Sequence, residues 1–214
     1  MSKKASKDEA LKAVKNISDK NSESSLQAEA MEAVKTLILW AGDNPEREGL
    51  LDTPKRVVKA YKQFFSGYND DPEEILSRTF EEVDGYDDAV IVRDIRLESH
   101  CEHHMVPIIG VAHVGYIPSS RVVGISKLAR LVDCYSKRLQ TQETMTAQIA
   151  NTIDKVLKPK GVAVVIDSNH NCMSTRGVHK THSSTITSRM LGIFRTDNKA
   201  REEFINLINS PQKF

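Results

Sequence analysis

Seven consecutive residues, Glu98 to His104 (ESHCEHH), hold three of the chain's seven histidines and one of its three cysteines. Imidazole nitrogen and thiolate sulfur are the ligands that zinc and similar borderline-soft metals prefer. Within the run, Cys101 and His104 stand in a C-x-x-H spacing on an expected turn between two strands, so two side chains of one loop can converge on one ion. Cys172, in the HNC stretch after the apolar run GVAVVID, is the natural third ligand. Two thiolates and one imidazole leave a fourth position open, which is the arrangement of a catalytic zinc rather than a structural one. The plainer reading is that each cysteine is a small buried apolar residue. On spacing alone the two readings stand level.

His103 adjoins His104, and His170 lies two positions before Cys172. In an extended chain neighbours point to opposite sides and alternate residues to the same side. Both histidines can therefore stand beside an ion without ligating it. An imidazole with a pKa of about 6.5 donates and accepts protons near neutrality, so water activated between two such groups makes a hydrolytic site. Cys134, in a helical stretch with no histidine near it in sequence, reads as a core thiol. His113, alternating with apolar neighbours, reads as structural. His100, His179 and His182 are undecided from spacing.

These side chains need a scaffold. Residues 1–25 are polar and read as a mobile tail. Leu26, Ala30, Ala33, Val34, Leu37, Ile38 and Ala41 mark one stripe of a helix, and Thr53-Pro54 opens a second with Val57, Val58, Tyr61, Phe64 and Phe65 inward. Asp71-Pro72 starts a shorter helical piece. From Ala89 the period changes: AVIVRDIRL and IIGVAHVGYI alternate as strands, SKLARLVDCYSKRL and ETMTAQIANTIDKVL return to helical spacing, and GVAVVID and SSTITSRMLGIF are strands again. Asp197 caps a last helix. The order β-β-α-α-β-β-α predicts an α+β domain over residues 86–214, an antiparallel sheet with helices on one face, preceded by a helical region over 26–85.

Lys and Arg number 30 against 29 Asp and Glu, so there is no global electrostatic attraction for nucleic acid or an acidic membrane. Any anionic ligand must be held by a local cluster. No apolar run approaches the roughly 20 residues of a membrane helix. The N-terminal MSKKASKDEALKAVK lacks the apolar stretch of a secretory signal. Three scattered cysteines suit a reducing compartment, with the cytoplasm as the expected location.

Three segments, CEHHMVPIIGVAHVGYIP, VVGISKLARLVDCYSKRLQTQE and NHNCMSTRGVHK, in this order and spacing, resemble GTP cyclohydrolase I. The likeness covers roughly residues 30–208. It implies a tunnelling-fold subunit that assembles into a homodecamer of two stacked pentamers. It also implies zinc-dependent opening of the guanine imidazole ring of GTP, with C8 leaving as formate and 7,8-dihydroneopterin triphosphate as product, the first step of pterin and tetrahydrofolate synthesis. Carried over residue by residue, Cys101, His104 and Cys172 resemble the zinc ligands, and His103 and His170 the acid–base histidines. Glu143 resembles the carboxylate that recognises guanine, with Gln142 lining the base pocket. Ser126, Lys127, Arg130 and Arg176 resemble the triphosphate set, with Arg56 contributed by a neighbouring subunit.

The residues suit these roles. Ser126 is placed as a helix N-cap, with Lys127 and Arg130 on one face of the first turn, and helix N–H groups plus two cations make an anion site. Arg176 adds a planar fork. An ionised Glu143 offers two acceptors to the N1–H and N2–H donors of guanine. For SKLAR alone a solvated charged face is the commoner reading, and a glutamate opening a helix is often only a dipole partner. Arg189 and the two histidines of HKTHSST depart from the family pattern without touching this chemistry. Two rival functions remain: a nitrile reductase of the same fold, which should lack the second cysteine ligand and the paired histidines, and a non-catalytic zinc-stabilised scaffold, which has no use for His103, His170 and Glu143 together.

Overall fold

The computed structural model describes residues 23–80, 86 and 88–211. Of the expected polar tail, residues 1–22 lie outside the described residues, and 23–25 already belong to the first helix. The chain divides into two compact units that meet in sequence between Gln63 and Phe64.

In the first unit, α1 (Glu23–Trp40) is followed by α2 (Thr53–Phe64), whose last residue crosses the boundary. Lys62 Nζ ties the two helices, donating to Oε1 of Glu23 at 2.8 Å and of Gln27 at 3.3 Å. Pro54 fills the first turn of α2, where its missing N–H costs nothing. The helices form where periodicity places them, but their apolar stripes are not enclosed. No residue of α1 is buried, Leu37 is 62% exposed and Trp40 85%, and Tyr61 and Phe64 of α2 are exposed rather than inward.

The second unit opens with a 3-10 turn (Ser66–Asn69) and α3 (Pro72–Ser77), capped by the Asp71 carboxylate, which accepts from the amides of Glu73 and Glu74. There follow β1 (Thr79–Phe80), β2 (Val90–Cys101), β3 (Pro107–Ile117), β4 (Val122–Val123), α4 (Ile125–Ser136), β5 (Leu139–Gln140), α5 (Gln142–Leu157), β6 (Gly161–His170), α6 (Asn171–Ser174), β7 (Thr185–Gly192), α7 (Ile193–Thr196) and α8 (Asn198–Asn209). The main sheet runs β5-β2-β3-β6-β7, antiparallel except for the short parallel pair β2–β5, and β1 pairs with β4 separately. This is the expected ββααββ tunnelling-fold order, with two strands lengthened. β2 continues to Cys101 and β6 to His170, because the neighbouring strands go on pairing with them there.

The pair α4–α5 covers one face of the sheet. Leu128, Leu131, Ile149 and Ile153 pack with Leu97, Val114, Val164 and Ile166, all fully buried. Each such side chain contributes about 1.5–3 kcal/mol by leaving water. The residues between them in β6, Ala163 and Val165, face the other way and meet Phe194, Phe204 and Ile208 of α7 and α8. Asp197 caps α8 as expected, its carboxylate accepting from Lys199 N–H at 2.8 Å. Arg93 closes the far end of α8 by donating to the carbonyls of Leu207 and Ser210. A Cβ on Gly110 of β3 would lie 2.1 Å from the Asp167 carbonyl and 2.4 Å from Ser168 Cβ, so only glycine lets β6 sit this close to β3.

Candidate metal centre and its surroundings

One end of the sheet gathers most of the chemistry. Cys101 ends β2, His170 ends β6, and the register joins them through the start of β3: His100 pairs with Pro107, and Ile108 with His170. β5 pairs Leu139 with His100 and Gln140 with Cys101, then leads through Thr141 into the first turn of α5. Thr141 caps that helix with its side chain and sets Gln142 and Glu143 at its opening.

The turn after Cys101 is tight. The Cys101 carbonyl accepts the amides of His104 (3.3 Å) and Met105 (2.8 Å), and the Cys101 amide donates to Val106 O at 2.9 Å. Met105 closes the turn at φ +55°. As a result His104 Nδ1 comes within 3.8 Å of Cys101 Sγ, and His103 Nδ1 within 3.7 Å. Cys172 is not on the strand but on the helical turn α6 that follows it. One donor atom each from Cys101, His104 and Cys172 lies within 4.8 Å of the others.

The donor set fits a divalent cation such as zinc. Burial pushes the Cys172 thiol up, the adjoining Cys101 adds to this, and Arg176 pulls the other way. Two thiols so close resist ionising together, and a cation bound between them removes that penalty. Arg176 Nη1 donates to His104 Nε2 at 3.1 Å, which places this guanidinium at the same cluster.

Behind the cluster lies Gln142, fully buried. Its Nε2 reaches Ile166 O (3.0 Å), Thr185 O (2.8 Å) and Thr187 Oγ1 (3.1 Å), while its Oε1 accepts from Ser168 Oγ at 2.6 Å and lies 2.7 Å from His170 Nε2. Burial holds the His170 imidazole below its ordinary pKa, with the Glu143 carboxylate partly offsetting this. Glu143, exposed on the first turn of α5, is therefore close enough to act on His170.

Ser126, Lys127 and Arg130 are set back along α4. α4 enters from the end of the sheet where β3 finishes opposite Val90, and its 12 residues run toward β5. At 1.5 Å per residue Ser126 stands about 15 Å, Lys127 about 14 Å and Arg130 about 9 Å along the axis from Ser136, the end that leads into β5. Gly124, not Ser126, occupies the N-cap, without a side-chain hydrogen bond, so Ser126 sits inside the first turn. Lys127 lines a cavity of about 380 Å³ with Asp70, Asp71, Glu74 and Arg78. Arg56, in the first unit, pairs with Asp52 at 3.2 Å.

Other polar residues are structural. His100 stacks on Phe64 (ring centroids 4.6 Å apart) and meets Phe65 edge-on. His113 accepts the Asp94 amide with Nδ1 at 3.1 Å, at a β-bulge in β2. Cys134 is buried, with Arg138 Nη2 at 3.1 Å from its sulfur. The residue that sequence reasoning missed is Ser168. Its signal was present, since Ile166, Ser168 and His170 alternate onto one face of β6.

The family model of GTP cyclohydrolase I matches residues 30–209. The chain belongs to the GTP cyclohydrolase I family. The GTP cyclohydrolase 1 of Hyphomonas neptunium is 61% identical to it over 181 residues, 85% of this chain and 88% of that protein. The GTP cyclohydrolase 1 of Maricaulis maris is 60% identical over 84% of this chain and 88% of its own length, and that of Brucella abortus 58% over 86% of each. A crystal structure of the archaeosine synthase QueF-Like in its apo form is similar over 49% of this chain and 93% of that one, at 20% identity and a TM-score of 0.41. The stretch matched by the GTP cyclohydrolase I family contains Cys101, His104, Cys172 and the whole sheet that carries them.

Proposed function

We propose that this chain is a zinc-dependent GTP cyclohydrolase I in which Cys101, His104 and Cys172 hold the metal and His103 and His170 move protons. It opens the imidazole ring of GTP by hydrolysis, releases C8 as formate and yields 7,8-dihydroneopterin triphosphate. The observation that carries this reading is the convergence of two thiols and one imidazole within 4.8 Å at the end of the sheet where His170 also lies.

Zinc held by these three residues supplies Lewis-acid activation of water at neutral pH. The protein supplies the rest. His103 stands beside Cys101 on an exposed turn, where it can protonate the departing ring nitrogen. His170, whose imidazole is held below its ordinary pKa by burial, is placed to accept a proton. Glu143 is exposed and free to offer two acceptors to the N1–H and N2–H of guanine. Arg176, already at the cluster, suits a phosphate oxygen.

Ser126, Lys127 and Arg130 complete the triphosphate site, and the length of α4 supports their serving the metal centre of another copy. Leu37, Leu39 and Trp40, exposed on α1, support burial between copies in the same assembly, a decamer of two pentamers with Arg56 contributed across a subunit boundary. Among the described residues no helix is long and apolar enough to cross a membrane. The three free cysteines support a reducing compartment, the cytoplasm.

Metal analysis beside GTP turnover tests the ligand set. Cys101→Ala and Cys172→Ala each lose zinc and activity together, while Cys134→Ala keeps both. Stoichiometric zinc in an active Cys172→Ala protein removes Cys172 from the set.

A further inference from the structure

We propose that Gln142 is the positioning residue for His170: its Oε1 fixes the ring as the Nε2–H tautomer and leaves Nδ1 without a hydrogen. This rests on the reading of His170 as a proton carrier.

The orientation of the Gln142 amide is forced. On one side stand the carbonyl oxygens of Ile166 and Thr185, 3.0 and 2.8 Å away, which accept and cannot donate. The amide nitrogen must face them, because the flipped amide would set three oxygens against one another. Thr187 Oγ1 joins that side at 3.1 Å and is itself tied to Thr146, whose hydroxyl is bonded to the Gln142 carbonyl. The side-chain oxygen is thereby turned toward His170 and Ser168.

An amide oxygen has no hydrogen to give. Oε1 takes the Ser168 hydroxyl at 2.6 Å, and its second partner, His170 Nε2 at 2.7 Å, must bring its own hydrogen. In a neutral imidazole that leaves Nδ1 bare, and the ring's hydrogen bond among the described residues is made through Nε2. The ring nitrogens of a histidine are told apart by the hydrogen bond that one of them makes. Gln142 itself is wholly enclosed, and every polar atom of its side chain is bonded within the protein. Its side chain has no polar atom left to offer guanine, so the part of that side chain is to orient the residue that reacts.

The test uses the zinc-loaded protein with 15N-labelled histidine. Long-range 1H–15N correlation spectra report which ring nitrogen of His170 carries hydrogen, with His170→Asn identifying the signals. The wild type shows a protonated Nε2 and a bare Nδ1. Gln142→Leu shows a mixture of tautomers, with kcat reduced roughly 10–100-fold, the KM for GTP held within about twofold and zinc content unchanged. A hydrogen on Nδ1 in the wild type overturns the proposal without any appeal to a variant's folding. So does a Gln142→Leu protein whose KM rises while kcat holds, because that places Gln142 on the substrate. Undiminished turnover by His170→Asn overturns the underlying reading instead, and is told apart because the wild-type ring would still carry its hydrogen on Nε2.

Discussion

His103 and His104 present the same ring atom to the same sulfur, Nδ1 standing 3.7 Å and 3.8 Å respectively from Sγ of Cys101. Distance to Cys101 does not separate the two. Cys172 does, since its sulfur lies within 4.8 Å of both Cys101 and a nitrogen of His104. His103→Ala is accordingly expected to keep zinc and lose turnover by about two to four orders of magnitude, the contribution of a positioned acid or base. His104→Ala is expected to release the metal. Zinc content of the two purified variants decides it, and a metal-free His103→Ala protein reverses the roles.

Glu143→Gln replaces one acceptor by an amide donor facing the donors of guanine. A hydrogen bond to a charged group is worth about 1.5–3 kcal/mol, so GTP binding weakens roughly tenfold to more than a hundredfold. The same change removes the charge that acts on His170. Unchanged GTP affinity and turnover take Glu143 out of the site.

Much of this was legible in the chain. Cys101 and His104 are close in sequence, and a tight turn leaves them little choice but to meet. Cys172 was readable because few other thiols compete for the role. What spacing could not show is which end of the sheet a helix begins from. Ser126, Lys127 and Arg130 resemble one triphosphate set with Arg176, yet Ser126 and Lys127 stand in the first turn of α4, which begins where β3 hands the chain over, and Arg130 in its middle. Spacing is equally silent on the burial of Gln142. A polar residue in the first turn of a helix is usually solvated, and only the approach of β6 and β7 to α5 turns it into a buried cross-link. The apolar stripe of α1 was read correctly as a helix face, but periodicity does not say whether the same chain covers that face.

Acid should weaken the fold through His113. Burial lowers its pKa from 6.5, with Arg93 acting in the same direction and Asp94 and Asp167 opposing. The unfolded chain then binds the proton more readily, so this contribution to stability is complete above the unfolded pKa and is lost as pH falls through the lower folded value. His100 and His170 shift the same way, also chiefly by burial. The Tm of the wild type drops between about pH 7.5 and about pH 5.5, and His113→Gln, which retains an acceptor for the Asp94 amide, shows a smaller drop. An equal drop in both proteins excludes His113 as a source of the acid sensitivity.

The central claim is that this metal centre opens the guanine ring rather than acting on the phosphates of GTP. Formate measured against GTP consumed by the zinc-loaded protein tests that most directly. The account predicts equimolar formate, no free phosphate, and loss of the reaction when a chelator strips the zinc. GTP consumed with phosphate but no formate, or formate production that persists after the metal is gone, would contradict it.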